Sequence, residues 1–379
     1  MKKIILSVLL VFTFFLTGCG KKDENYVINE LSKKIEKSTS YYIEGKMELM
    51  NNEDVYEYDV KVSYKSPSYY KVDLTNVITN HEQIILKNKD GVYVVTPSLN
   101  KSFKFQSDWP YNNSQSYLLS SILDDINNDG NKTFLEEDDG YVITTKVNYP
   151  NNQKLVSQKI YIDKNINVSK VLVMDQNGNT QIKMEFKKID LNSNSKEEDY
   201  DLSKLITLSK DNNDSKNNGD KDSNSNTNNN TNNNTNTNTN TNKNSDDITD
   251  KKDDNTKDSK DTKETATLKD IIYPMYLPTN TYLTNQEKVL KDDGERLILT
   301  FSGDKSFMLI EETVSMPLEH EIIPTFGELE LMGDTIAVVN DNSINWVSNG
   351  IEYYVVSDVI SKGELLEVAR SISVLPVSK

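Results

Sequence analysis

Apolar and polar residues alternate with period two over much of the first half of this chain, the pattern of strands with one wet face and one buried face. Tyr56, Tyr58, Val60, Val62 and Tyr64 fall on one side of a strand, with Glu57, Asp59, Lys61 and Ser63 on the other. Ile43, Gly45, Met47 and Leu49 repeat the pattern, as do Tyr70, Val72 and Leu74. So do Tyr141, Ile143, Thr145 and Val147, and Ile182, Met184 and Phe186. Antiparallel pairing suits such strands. Two stretches switch to helical spacing. Ile28, Leu31 and Ile35 predict a short helix near the start, and Tyr117, Leu118, Ile122 and Ile126 predict one over 114–126.

The pattern breaks off from about 209 to 266, where Asn, Thr, Asp, Ser and Lys dominate. Such composition cannot bury enough surface to offset its chain entropy, so a disordered linker is expected there. As a flexible coil its ends would average about 40 Å apart, leaving the flanking lobes free to separate. Beyond it, short apolar runs at 297–301, 307–310, 336–339 and 351–356 predict strands of a smaller α+β module. A terminal helix follows, with Ser361 as cap, Glu364 completing a capping box, and Leu365, Val368, Ala369 and Ile372 as the buried stripe.

Ahead of the strands, Lys2 and Lys3 precede an apolar run from Ile4 to Phe15, and Leu16-Thr17-Gly18-Cys19 closes it. This arrangement predicts a lipoprotein signal over 1–18, cleaved between Gly18 and Cys19, with a diacylglyceryl group on the Cys19 thiol. Cys19 is the one cysteine of the 379 residues, so disulfides, thiolate metal sites and cysteine nucleophiles are ruled out. The expected division is signal 1–18, first domain 19–208, linker 209–266 and second module 267–379. The expected place is the outer face of the plasma membrane, held by acyl chains. A net charge of -16 argues against nucleic acid and against electrostatic attachment to an anionic membrane.

Catalytic constellations are scarce. His81 sits in a polar turn and His320 between Glu319 and Glu321, with no G-x-S-x-G elbow and no Walker loop nearby. His320 reads as part of an exposed charged loop in preference to a metal site. Asp125, Asn127 and Asp129, followed by Gly130 and Glu136, match positions 1, 3, 5, 6 and 12 of a calcium loop. Lys132 at position 8 and the strand-like sequence after Glu136 favour a plain helix-to-strand connection, and both readings stand at this point. The stripe Tyr56, Tyr58, Val60 and Tyr64, with Trp109, has two readings as well: packing beneath a helix, or a hydrophobic groove for an acyl chain, a peptidoglycan fragment or a protein segment.

The stretch from Ile84 to Pro110, including Asp90-Gly91-Val92-Tyr93-Val94-Val95-Thr96-Pro97 and Asp108-Trp109-Pro110, resembles the YdcC-type lipoproteins of spore-forming Gram-positive bacteria, as does Asn112-Asn113-Ser114-Gln115. That group is similar to the LolA lipoprotein carriers and to GerS-like germination lipoproteins. The resemblance covers roughly the first half of the chain. It implies an α+β fold, a LolA-like incomplete antiparallel β-barrel closed by helices over an apolar cavity. The second module resembles a small envelope module of Gram-positive bacteria through Tyr273-Pro274-Met275-Tyr276-Leu277-Pro278, Asn345-Trp346 and the helix over 363–372. The implied function is non-catalytic, with no cofactor besides the lipid: binding an envelope partner during sporulation or germination, such as a cortex-modifying amidase. The alternatives are an acyl-lipid carrier and an envelope-stress sensor acting on an anti-sigma factor.

Overall fold

A computed structural model of the protein describes residues 23–51, 54–207 and 267–372. The candidate signal, Cys19 and the candidate linker lie outside the described residues. The first lobe opens with α1 (Glu24–Lys37), capped by the Asp23 carboxylate, which accepts from the Tyr26 N–H at 2.8 Å. Its buried stripe is Val27, Leu31 and Ile35, while Ile28 is half-buried. The stripe therefore runs at i, i+4, i+8 and starts one residue before the predicted one.

Eleven strands follow, interrupted by one helix. They are β1 (Ser40–Asn51), β2 (Asp54–Lys65), β3 (Tyr69–Asn76), β4 (Glu82–Asn88), β5 (Gly91–Thr96) and β6 (Lys101–Phe105), then α2 (Leu119–Asn128). After it come β7 (Thr133–Glu137), β8 (Gly140–Lys146), β9 (Leu155–Asp163), β10 (Val168–Asp175) and β11 (Thr180–Asp190). Their order in the sheet is β6-β5-β4-β3-β2-β1-β11-β10-β9-β8-β7, and the two ends do not meet. The sheet is unclosed. One face of it nonetheless joins a single core with α1 and α2: Ile43, Val62, Val72, Val94, Ile143, Ile160, Val171 and Met184 all belong to it. A sheet this wide reaches both helices from so many strands by wrapping around them.

The alternating strands read from sequence are buried on the expected side. At Gly45 an added Cβ would lie 2.4 Å from the Glu185 carbonyl oxygen, and the β1–β11 register shifts at that point. This glycine therefore marks a bulge. β4 and β5 differ, because Ile84, Ile85 and Leu86, and Val92 to Val95, are buried consecutively. Their outward side chains meet Tyr200 and Leu205, so this part of the sheet is covered on both faces. α2 begins at Leu119, later than predicted. Before it, the Ser121 hydroxyl accepts from the Gln115 N–H and Ser114 donates to Asp125, which holds 114–118 in a bent approach.

The second lobe contains β12 (Thr281–Lys291), β13 (Gly294–Gly303), β14 (Phe307–Thr313), β15 (Glu321–Thr325), β16 (Glu328–Met332), β17 (Thr335–Val339), β18 (Ser343–Ser348) and β19 (Ile351–Val356), then α3 (Lys362–Arg370). Seven of these strands form an antiparallel sheet, β12-β13-β14-β19-β18-β17-β16. Ser361 caps α3 by accepting from the Glu364 N–H, and Leu365, Leu366, Val368 and Ala369 pack against the sheet. Stacked rings fill the remaining core, Phe301 on Phe307 at 4.4 Å and Trp346 on Tyr353 at 5.1 Å.

β15 departs from its own lobe. It pairs parallel with β6 and becomes the twelfth strand of the large sheet, from Glu321 opposite Lys101 to Thr325 opposite Phe105. Pro324 in the middle of β15 is tolerated because this is an edge strand.

Glu311, on β14, is fully buried, with its carboxylate accepting from the Ile272 N–H at 3.0 Å. Burial pushes its carboxyl up to about 7. Between its ordinary range and about 7 the folded lobe keeps a proton that the unfolded chain has lost, so stability falls as pH rises through that window. Glu311→Gln should remove this decline. Urea unfolding followed at pH 5, 6 and 7 checks it.

Candidate functional site

Residues separated by more than 200 positions meet where the second lobe covers the large sheet. The β16–β17 hairpin inserts Leu329, Ile336 and Val338 into the first-lobe core. Burying each of these stabilises the contact by about 1.5–3 kcal/mol as an upper estimate. Polar contacts fix the register of the insertion. The Tyr58 hydroxyl donates to the Gly333 carbonyl at 2.5 Å, and Gln83 Oε1 accepts from the Ile336 N–H at 2.7 Å. Gly333 has φ +61°, and a Cβ there would stand 3.3 Å from the Tyr56 ring, so the turn fits closely against the tyrosine stripe. Across the same seam Lys154 reaches Glu367 at 2.8 Å, but with 69% and 35% of the side chains exposed this pair is worth at most about 1 kcal/mol. Apolar insertion dominates the docking.

A cleft of about 240 Å³ lies between the lobes. Its floor is the concave face of the large sheet, with Met47 and Leu49 on β1, Leu74 on β3, Ile85 on β4 and Ile182 on β11. The segment before α2 contributes Trp109, Gln115 and Tyr117. The second lobe closes the other side with Leu329 to Gly333, Ile336 and the end of α3. There Arg370 donates to Glu330 at 2.7 Å, with only 14% and 12% of the two side chains exposed. Burial pushes the Glu330 carboxyl up, and the Arg370 guanidinium opposes that shift. Asn51 Nδ2 donates to the Arg370 carbonyl at 3.2 Å, tying β1 to the end of α3.

The groove residues predicted from sequence divide between two environments. Trp109 lines the cleft, is 2% exposed, and meets Tyr70 edge-on at 5.9 Å. Tyr58 and Val60 are buried in the core, Tyr56 packs on Gly333, and Tyr64 stacks on Tyr41 at 4.7 Å and meets the tilted ring of Tyr70 at 4.9 Å. None of these four lines the cleft. The strand alternation identified the inward face, but not which part of that face the second lobe would cover.

The calcium-loop residues do not converge. Asp125 lies within α2, and its two oxygens accept from Ser114 at 3.0 Å and Gln158 at 2.8 Å. Asn127 is exposed on the same helix. Asp129 accepts from the Asn131 and Lys146 N–H groups, and these bonds hold its carboxyl low. Glu136 stands exposed on β7, 3.9 Å from Lys164. A helix running through position 125 and a strand through 136 separate the would-be ligands, and among the described residues no cluster suited to a metal is found. The helix-to-strand connection is the arrangement observed.

His320 is also placed differently from the expected exposed loop. Its Nε2 lies 2.7 Å from Ser102 Oγ and its Nδ1 3.3 Å from Asn100 Oδ1, beside the β15–β6 pairing. His81 is half-buried near Asp334 of the hairpin turn, where desolvation lowers its pKa. Both histidines therefore belong to the seam between lobes. Sequence reasoning also missed Gln83, Glu330 and Arg370. The faint signal for Glu330 was a charged residue amid the apolar Leu329-Glu330-Leu331-Met332.

A family profile described as "Sporulation protein YdcC-like" matches residues 1–200. The chain is 32% identical over 377 residues to the sporulation protein YdcC of Bacillus subtilis strain 168, covering 98% of each. The chain belongs to the YdcC-like sporulation protein family. The likeness to the Bacillus protein runs through both lobes of this YdcC-like chain, further than the half carried by the Ile84–Gln115 motifs. Among solved structures, a Pseudomonas aeruginosa MucA/MucB complex matches 93% of this chain and 99% of its own at 10% identity, with a TM-score of 0.29. The CwlD amidase–GerS lipoprotein complex of Clostridioides difficile matches 44% of this chain and 95% of its own at 16% identity, with a TM-score of 0.28. A LolA-superfamily protein from Nitrosomonas europaea matches 47% and 99% at 10% identity, also at 0.28. The architecture of the YdcC-like chain is defined here by its own strand pairings.

Tyr58→Phe should leave the Gly333 carbonyl unpaired in a buried seam and lower stability by about 1–3 kcal/mol in urea titration. Ile336→Asp places a charge in the first-lobe core and should part the lobes. Small-angle scattering should then show a larger radius of gyration while far-ultraviolet circular dichroism keeps its strand signal.

Proposed function

We propose that this protein is a lipid-anchored, extracytoplasmic binding protein of sporulating cells that performs no catalytic step itself. Family membership supports the sporulation role. The Lys2–Cys19 pattern supports export and a diacylglyceryl anchor on Cys19. The observation that carries the binding reading is the cleft walled by both lobes, whose ionisable side chains Lys154, Glu367, Arg370 and Glu330 are engaged with one another. Groups held in pairs suit recognition better than proton transfer, which needs an acid or base facing the substrate.

The partner class we favour is a cell-envelope protein, with a cortex-modifying amidase as its leading member. The resemblance of the first lobe to germination lipoproteins supports that choice. A second reading, carriage of an acyl lipid, is favoured by the apolar cleft floor, although an anchored protein cannot shuttle between membranes. A third, envelope sensing through an anti-sigma factor, gains from the docking of the two lobes. That docking replaces the independently moving lobes expected from the linker.

Two measurements test the proposal. Cys19→Ser should move the protein from the membrane fraction to the soluble fraction, and equal membrane retention would remove the anchor. Affinity capture of the full chain from sporulating cells should return a cell-wall amidase. Recovery of a transmembrane anti-sigma factor would replace that reading with the sensor, and acyl lipid released in native mass spectrometry would replace it with the carrier.

A further inference from the structure

The charges lining the cleft cancel. Lys154 stands against Glu367, and Arg370 against Glu330 with a second approach to Glu367 at 3.7 Å. A charged ligand group would have to displace a member of these pairs, and separating the buried Glu330–Arg370 pair leaves an uncompensated charge inside the protein. The cleft therefore suits a ligand that is neutral where it touches this wall.

Its remaining polar side chains are the hydroxyls of Ser116, Ser371, Tyr117, Tyr149 and Tyr276 and a set of amides. Asn51 gives one N–H to the Arg370 carbonyl, Gln181 one to Asp175 at 3.3 Å, and Gln115 one to Asn113 at 2.6 Å. A carboxamide carries two donors and a carbonyl acceptor, so each retains capacity for a ligand at the rim. Below them lie Met47, Leu49, Ile182 and Leu329, with the rings of Trp109 and Tyr149 beside them. An alkyl chain alone would match this floor but would desolvate the amides without pairing them. A peptide added as a strand would need an open ladder. The floor strand β1 is hydrogen-bonded on both sides, to β2 and β11.

We propose that the cleft binds a neutral acetamido sugar, a unit of an N-acetylated glycan. Such a sugar joins an apolar ring face and a methyl group to an amide and several hydroxyls, all within a few ångströms. The methyl and C–H faces match the aliphatic and aromatic floor, and the amide and hydroxyls match the Asn and Gln rim. This inference rests on the binding-protein reading above and names the ligand of its cleft. Because both lobes wall the site, an occupant touching both also holds the hairpin in place.

Titrating the full chain with the trimer of N-acetylglucosamine, by calorimetry and tryptophan emission, tests the assignment. Saturable binding is expected, with an emission change that Trp109→Phe abolishes. Gln181→Leu should weaken affinity about tenfold or more. Leu49→Trp, which fills the floor, should abolish binding in a protein whose circular dichroism is unchanged. Cellotriose, which lacks the acetamido groups, should bind more weakly. No heat up to about 10 mM trimer, or equal affinity in the Gln181 variant, overturns the sugar assignment. Binding of lysophosphatidylglycerol without binding of the trimer overturns it too, while leaving the cleft as a ligand site. If neither probe binds and a cell-wall enzyme is still captured, the sugar is excluded and the partner-holding role stands.

Discussion

The large sheet presents more inward apolar surface than its two helices cover, and the second lobe supplies the rest of the cover. Leu329, Ile336 and Val338 belong to the same buried cluster as Val62, Val72 and Ile143, although they come from the other end of the chain. Without them part of the concave face would meet water, a cost that scales with the area exposed. The hairpin is thus a structural member of the first lobe as much as of its own. This constraint explains why the Tyr58 and Gln83 polar groups point out of a sheet core: each finds its partner on the incoming hairpin, at Gly333 and Ile336.

The same docking creates the cleft. The hairpin covers the stretch near Tyr56 and Tyr58 and stops short of Met47, Leu49 and Ile182, which leaves a space between sheet and second lobe. α3 then brings Arg370 to the rim, where Glu330 balances it. At the opposite seam β15 adds itself to β6 in parallel, so the second lobe is fixed at two separated places. A ligand in the cleft would touch walls from both lobes, and its affinity would be linked to their closeness.

Much of this architecture was visible residue by residue. The alternation in β1, β2, β3, β8 and β11 located inward side chains, and the cap at Ser361 marks a helix start that is a local hydrogen-bond problem. β4 and β5 could not be read by alternation, because Tyr200 and Leu205 cover their outer face and make both sides apolar. The α2 start was misjudged because Gln115 bonds to Ser121 and Ser114 to Asp125 in a bent approach that helical spacing does not reveal. The calcium-like run failed for a related reason. Spacing matched a loop, but Asp125 and Asn127 fall on a helix and Glu136 on a strand, with Asp129 in the short connection between them.

The sequence by itself determined which side chains face inward, because strand and helix periods are properties of neighbouring residues. It also determined the Ser361 helix cap and the charge that works against nucleic acid. Tertiary structure alone decided that β15 joins the other lobe's sheet, that Tyr58 packs at a seam while Trp109 lines a cleft, and that Glu330 meets Arg370 there. The Tyr58–Gly333 contact spans 275 positions. No local period records such a meeting, since it depends on how two separately patterned surfaces bury their leftover apolar area against each other.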